Sequence, residues 1–371
     1  MGALRNFPDF LIVGGGLMGR LLAWRLSQDG ARVSLYERGD AAGRGSAAWV
    51  AAAMLAPLAE AAVADALIVR LGAASLQAWP QLLAALPVPV FFQKHGTLVV
   101  WHSADRAEAT LFSSRMHANA PPGWVDAGLR TLNGTQLAQA EPPLAGRFAQ
   151  GLLLQEEGQL DNRQLLTALA EGLRERQVTT HWDTAIEPAD WPAARVVLDC
   201  RGLGGKDAWR TLRGIRGEVA RLHAPGVGLT RPVRLLHPRY PLYIAPKQDD
   251  RYVVGATEIE SEDMSEVSVR SALELLSAAF SVHPGFGEAR ILELNSQCRP
   301  TLPDHRPSIA WDGGNVIRVN GLYRHGYMIS PEVSRIAGEL AVALAGGDIA
   351  DAQAFGAWAA RSDWPELLVT H

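Results

Sequence analysis

The sequence predicts a chain of mixed class, with one Rossmann-like α/β part and one α+β part carrying a mainly antiparallel sheet. Three observations predict it. Residues 10–36 read as strand, glycine turn, helix and second strand; short strand patterns recur between 217 and 256 without intervening helices; and 371 residues exceed one ordinary compact domain.

Taken in order, residues 10–13 are a short apolar run that ends in Gly14, Gly15 and Gly16. Residues 17–28 follow with Leu21, Leu22 and Leu26 at helical spacing, and Gly30 stops that helix. Residues 32–36 alternate polar and apolar and end at Glu37, completing a parallel β-α-β unit. From 76 to about 143, amphipathic helix, a strand at 97–101 and a Pro/Gly/Ala-rich stretch read as inserted structure. Residues 162–176 predict a helix with Leu165, Leu166, Leu169 and Leu173 on one side, and 195–198 a buried strand running to Gly202 and Gly204. Strands follow at 217–222, 242–245 and 252–256, a helix at 269–280, a strand at 317–320 and a closing helix at 330–345 with Ile336, Leu340 and Leu344 on one stripe. The expected division is 1–75, 150–215 and 310–371 for the first part, and 76–149 with 216–309 for the second.

Composition excludes several classes. Hydrophobic residues are 48% and charged residues 20%, which argues for an ordinary folded chain. The net charge of -4 offers no basic field for nucleic acid, and the Arg210, Arg213, Arg216, Arg221 cluster has Glu218 within it. The most apolar long region, 47–72, is broken by Glu60, Asp65 and Arg70, so no membrane insertion is expected. Cys200 and Cys298 make no disulfide framework and no metal spacing, and the first residues carry no charged leader followed by an apolar segment; the expectation is a cytoplasmic protein without a metal.

Gly14, Gly16 and Gly19 have the spacing of a dinucleotide turn: one glycine for the tight turn, one for close approach of backbone to pyrophosphate, one for helix-strand packing. The helix that starts at Leu17 and Met18 turns free N–H groups and its positive end toward phosphates. Glu37, with Arg38 beside it, is placed to bind an adenosine ribose and to disfavour a 2′-phosphate, so FAD or NAD is expected over NADP.

The segments 42–48 (AGRGSAA) and 51–57 (AAAMLAP) resemble the second flavin-binding segment of the glycine oxidase and D-amino acid oxidase superfamily. Further matching segments are 160–163 (LDNR), 216–219 (RGEV), 243–246 (YIAP) with 254–257 (VGAT), 299–304 (RPTLPD), and 320–326 (NGLYRHG) ending at Pro331. Their order is similar to that of glycine oxidases of the thiamine-biosynthesis type over nearly the whole chain, most weakly from 60 to 150. The resemblance implies a Rossmann-like FAD-binding domain, a substrate-binding domain, and non-covalent FAD. Arg44, Ser46, Ala52, Ala53, Met54, Gly202, Gly321, Tyr323, His325, Gly326, Tyr327 and Met328 join the glycine turn as implied cofactor residues. Three positions depart from the family: Ala53 stands where Gly is common, Lys247 where Arg is common, and His325 where Asn is frequent, the last two bearing on substrate preference.

An amino-acid oxidase holds a carboxylate, releases a neutral amine and aims the α-C–H bond at the cofactor, so orientation carries most of the demand. Arg299 is the expected carboxylate clamp, because guanidinium matches carboxylate in a bidentate plane, and Tyr243 the second donor. The resemblance supports both, places Arg299 and Arg324 near flavin and substrate, and leaves the role of Arg324 between substrate contact and pocket shape. The expected partners are a small amino acid, glycine first, and oxygen; family members are often homo-oligomers. Sarcosine, D-amino acids and proline are alternative substrates, with an NAD-dependent dehydrogenase or a noncatalytic flavin protein as alternatives of another class. Cys298 reads as a buried thiol beside Arg299 rather than a flavin attachment point.

Overall fold

The computed structural model describes residues 8–28, 30–239 and 241–370. Residues 1–7, read above as lacking a leader, lie outside the described residues.

Two large sheets organise the described residues, beside a small one of three short strands, Met54–Leu55, Gly158–Leu160 and Phe92–Gln93. The first has seven strands in the order Leu368–Thr370, Ser308–Trp311, Val316–Asn320, Val196–Asp199, Phe10–Val13, Val33–Tyr36 and Thr179–His181. Val316–Asn320 through Thr179–His181 pair in parallel, and Ser308–Trp311 joins antiparallel to Val316–Asn320. Phe10, Leu11, Ile12 and Val13 are all buried, as a central parallel strand covered on both faces requires. The helices Leu17–Gln28, Asn162–Glu175 and Gly326–Gly346 pack against this sheet and one another, with Leu22, Leu169, Ile336 and Leu340 fully enclosed. The closing helix starts at Gly326, four residues before its expected start; Pro331 lies inside it, and the Tyr327 carbonyl that this proline leaves without its helical partner accepts from Trp79 Nε1 at 3.1 Å.

The second sheet has eight strands in the order Arg290–Thr301, Arg213–His223, Arg251–Gly255, Leu242–Pro246, Val233–Leu236, Thr97–Trp101, Gln150–Leu154 and Leu129–Asn133. Its pairings are antiparallel except that Val233–Leu236 runs parallel to Thr97–Trp101. Its core joins Leu98, Ala220, Ile244 and Val254 to Leu275 and Ala279 of the helix Val269–Val282. The boundary expected at 150 falls on a strand of the second sheet: Gln150–Leu154 pairs with Thr97–Trp101, with Leu153 in the core on one face and Leu152 and Leu154 in the core on the other. Among the described residues, no helix is long and apolar enough to cross a membrane.

This topology decides where a site forms. The carboxyl ends of four neighbouring strands of the first sheet deliver Gly14, Glu37, Cys200–Gly204 and the turn 321–326 to one side, the usual place for a ligand in such a sheet. The second sheet faces that side with Gly217, Tyr243, Gly255 and Arg299.

Candidate active site

A single cavity of about 1070 Å³ runs between the sheets. At one end, the three glycines divide their work as the spacing predicts. Gly14 has φ +101°, and a Cβ there would lie 2.5 Å from the Cys200 carbonyl oxygen; a Cβ at Gly19 would strike the Gly14 carbonyl; a Cβ at Gly16 would meet nothing within 4 Å and would project into open space. Only Gly16 therefore leaves room for a ligand. Glu37 lines the cavity and accepts from the Gly15 and Gly39 N–H groups at 2.5 and 2.7 Å, which fixes its carboxylate beside the turn. Arg20, fully buried, donates to the carbonyls of Gly15, Ala41 and Leu166 and ties the turn to the next loop and to the helix Asn162–Glu175. Burial lowers its guanidinium to about 10.

Ser46 caps the short helix Ala47–Val50 by accepting from Trp49 N–H, and residues 51–53 then pass along the cavity with nothing larger than a methyl group. Ala53 has φ +52°, a conformation natural to glycine, which suits the glycine that the resemblance implies at this position. Behind the strip, Lys247 donates to Ala52 O, Leu160 O and Gln159 Oε1 at 2.9, 2.7 and 3.1 Å. Lys247 is buried and off the cavity lining, so its expected bearing on substrate preference is corrected: it clamps the small-residue strip from the rear. Asn162 assists by donating to Ala48 O and Trp49 O.

At the other end, Arg299 lies on the edge strand Arg290–Thr301 and donates to Thr257 O at 3.2 and 3.3 Å. Among the described residues no carboxylate lies within ion-pair distance of it. Its guanidinium occupies the space above Gly217, where a Cβ would fall 2.6 Å from Nη1 and nearer still to Nη2. Tyr243 does the same over its strand partner Gly255, where a Cβ would meet the phenol oxygen at 2.7 Å. Burial raises the Tyr243 hydroxyl against the opposing pull of Arg299, Arg324 and Arg234, so it remains a donor. An unpaired cation and a protonated phenol thus line the same end of one cavity.

Arg324 is held otherwise. Its Nε lies 3.1 Å from Glu60 Oε2, and its Nη1 lies 2.9 Å from Glu258 Oε2. Glu60, only 6% exposed, also pairs with Arg234 at 2.7 Å, and its Oε2 is 3.3 Å from His325 Nδ1. Burial alone would raise Glu60; Arg324, Arg234 and His325 outweigh it and hold the carboxyl well below its ordinary range. Of the two expected roles for Arg324, the geometry favours pocket shape, since two carboxylates already occupy its guanidinium.

Most of the sequence-selected residues line the cavity: Gly14, Gly16, Leu17, Met18, Glu37, Arg38, Ser46, Ala52, Ala53, Met54, Gly202, Tyr243, Arg299, Tyr323, Arg324, His325, Gly326, Tyr327 and Met328. Three do not. Arg44 points to solvent and pairs with Asp40 at 2.8 Å; Gly19 serves helix packing; Gly321 makes the turn, with φ +77° and a Cβ position blocked by Leu302 and Arg306 O. Met264 stands exposed at the rim, whereas Met328 is buried against Gly72. Glu60, Arg234, Glu258 and Gly45 line the cavity without having been singled out. Glu60 carried one legible sign, a charge within an otherwise apolar stretch. Cys298 is buried beside Arg299, with Sγ 3.6 Å from Ser261 O and burial raising the thiol. Among the described residues, no group of three His, Cys, Asp or Glu is placed to hold a metal.

The sequence model for FAD dependent oxidoreductases matches residues 9–340. A Rhizobium etli protein provisionally assigned as the thiamine biosynthesis oxidoreductase ThiO is 41% identical over 331 residues, covering 89% of this chain and 94% of that protein. The crystal structure of glycine oxidase from Geobacillus kaustophilus superposes with a TM-score of 0.77 at 22% identity, covering 92% of this chain and 95% of that one. That of iminodiacetate oxidase from Chelativorans sp. BNC1 gives 0.76 at 20% identity, covering 97% and 99%.

Proposed function

From the premise that the chain belongs to the family of FAD-dependent oxidoreductases, we propose that it oxidises the amine of a small amino acid, glycine first. The observation that carries this reading is the pairing of Arg299, free of any carboxylate among the described residues, with the Tyr243 phenol in one cavity.

The residues present fit the cofactor. Gly14 to Met18 and Glu37 would hold its pyrophosphate and ribose, and the open space at Gly16 with the small strip 51–53 admits close approach of backbone to a flat ring. The turn 321–326 and the first N–H groups of the helix Gly326–Gly346 would sit against the ring's carbonyl end and favour negative charge there. Bound FAD supplies a two-electron acceptor. It would be held without a covalent link, since the Cys298 thiol is turned to backbone carbonyls.

Arg299 would clamp the substrate carboxylate through two parallel N–H donors, and the Tyr243 hydroxyl would donate to the same group. Fixing the carboxylate orients the α-carbon, which is the main contribution such a site makes. Arg324, neutralised by Glu60 and Glu258, would wall the pocket instead of binding a second carboxylate. The product imine hydrolyses in water to a 2-oxo acid, glyoxylate from glycine, and ammonia. Oxygen would be the final acceptor, giving hydrogen peroxide. The 41% identical relative carries a thiamine-biosynthesis assignment, which supports that pathway as the destination, and two free cysteines suit the cytoplasm.

The test is an anaerobic absorbance titration of the yellow holoenzyme with glycine, sarcosine, D-alanine and D-proline. Bleaching led by glycine, with peroxide released when air enters, is the expected result. Flavoprotein that no amino acid bleaches would refute the substrate class.

A further inference from the structure

His325 is 4% exposed, accepts no backbone N–H as N-cap of the helix Gly326–Gly346, and lines the cavity with Arg299 and Tyr243. Its Nδ1 faces Glu60 Oε2 at 3.3 Å, and both atoms are buried without an aligned hydrogen bond. Among the described residues Nε2 takes no protein partner. A buried imidazole turned by a carboxylate, with its second nitrogen unclaimed, is the arrangement of a general base.

Charge in the pocket favours that use. Of the carboxylates lining the cavity, the two that bear electrostatically on Tyr243 and Arg299 are already engaged, Glu60 by Arg234 and Arg324 and Glu258 by Arg324. A substrate carboxylate would neutralise Arg299, but its ammonium would find no free carboxylate in that group. Moving the ammonium proton onto an imidazole beside Glu60 keeps the total charge and places the cation where a carboxylate already stands. The groups facing the ring are Glu60 from Pro57–Glu60, Arg234 behind it, His305 after the edge strand, the Tyr323 ring at 5.6 Å and the neighbouring Arg324. Burial lowers the imidazole against the upward pull of Glu60, so it stands neutral and able to accept.

We propose that His325 is the base that accepts the substrate's ammonium proton, with Glu60 as its positioning residue. This rests on the amino-acid oxidase reading. One ammonium N–H bond breaks, its electron pair stays on nitrogen, and the proton forms a new bond to Nε2. The lone pair then becomes the C=N π bond as the α-C–H pair departs as hydride to the family's two-electron acceptor. The proton on His325 returns to solvent after the product leaves.

The experiment compares wild-type and His325→Asn holoenzyme from pH 6 to 10, following kcat/KM and the anaerobic rate of flavin bleaching with glycine, together with binding of glycolate, which carries the carboxylate but no ammonium. The expected variant loses about 10²-fold in kcat/KM at neutral pH, recovers as the pH nears the amine's own pKa, and binds glycolate like the wild type. A variant with the wild-type profile overturns the proposal. So does a loss that is equal at every pH, or one accompanied by lost glycolate binding, since either would make His325 a packing residue. If no amino acid bleaches the wild type, the substrate reading fails instead.

Discussion

Gly217→Ala tests the proposed role of Arg299 as a carboxylate clamp. Gly217 lies in the strand Arg213–His223 with ordinary strand dihedrals, so alanine meets no backbone penalty and, by restricting the unfolded chain, is expected to add about 0.4–1 kcal/mol of stability. The new methyl would sit 2.6 Å from Arg299 Nη1 and closer to Nη2, against an optimum of about 3.5–4.0 Å. The guanidinium must therefore retreat by about 1 Å, abandoning its bonds to Thr257 O. A misplacement of ~1 Å in a positioning group costs on the order of 10²-fold, ~2.7 kcal/mol of transition-state stabilisation. The assay is steady-state kcat/KM with glycine beside thermal unfolding of the same preparation. Activity should fall about 10²-fold while the melting temperature holds or rises. Wild-type kcat/KM would refute the assignment of Arg299, and a matching loss of stability would refute the claim that the glycine serves the clamp rather than the sheet.

Ala53→Gly should leave flavin binding intact and shift stability by no more than ~1 kcal/mol, because relief of the left-handed residue is offset by added chain entropy, whereas Ala53→Val should lose flavin on gel filtration. Lys247→Met orphans the carbonyls of Ala52 and Leu160, and is expected to weaken FAD affinity at least tenfold by fluorescence titration without altering substrate ranking. Glu157 is buried, accepts from Ala59 N–H at 2.7 Å, and is pushed by burial up to about 7 from its ordinary 4.5. The folded state then holds a proton that the unfolded chain has released, so stability declines as pH rises from about 4.5 to about 7 and levels off above, a loss of ~3 kcal/mol. Urea unfolding at pH 5 and pH 8 should show that decline in the wild type and not in Glu157→Gln; equal slopes would contradict it.

The β-α-β unit was legible because its signals are short-range: an apolar run, three glycines at fixed spacing, helical leucines and Glu37 all fall within 28 residues of one another. Thr97–Trp101 and Asn162–Glu175 were placed within a residue for the same reason. Arg290–Thr301, the longest strand, was not read, since RILELNSQCRPT shows no clean alternation and carries Pro300. It is an edge strand, half exposed and paired on one side with Arg213–His223, so its sequence is freed from the patterning that burial imposes. The site divides likewise. The glycine turn is legible because backbone geometry demands its residue types locally, whereas the residues of 320–328 come from the resemblance to a known family. That Gly217 makes room for Arg299, that Lys247 grips the strip at Ala52, and that Glu60 gathers Arg234, Arg324 and His325 depends on contacts between residues far apart in the chain. Short-range sterics made the glycine turn legible in the sequence; long-range packing and charge pairing, visible only in the tertiary structure, decided that Arg324 is paired with carboxylates and Arg299 is not.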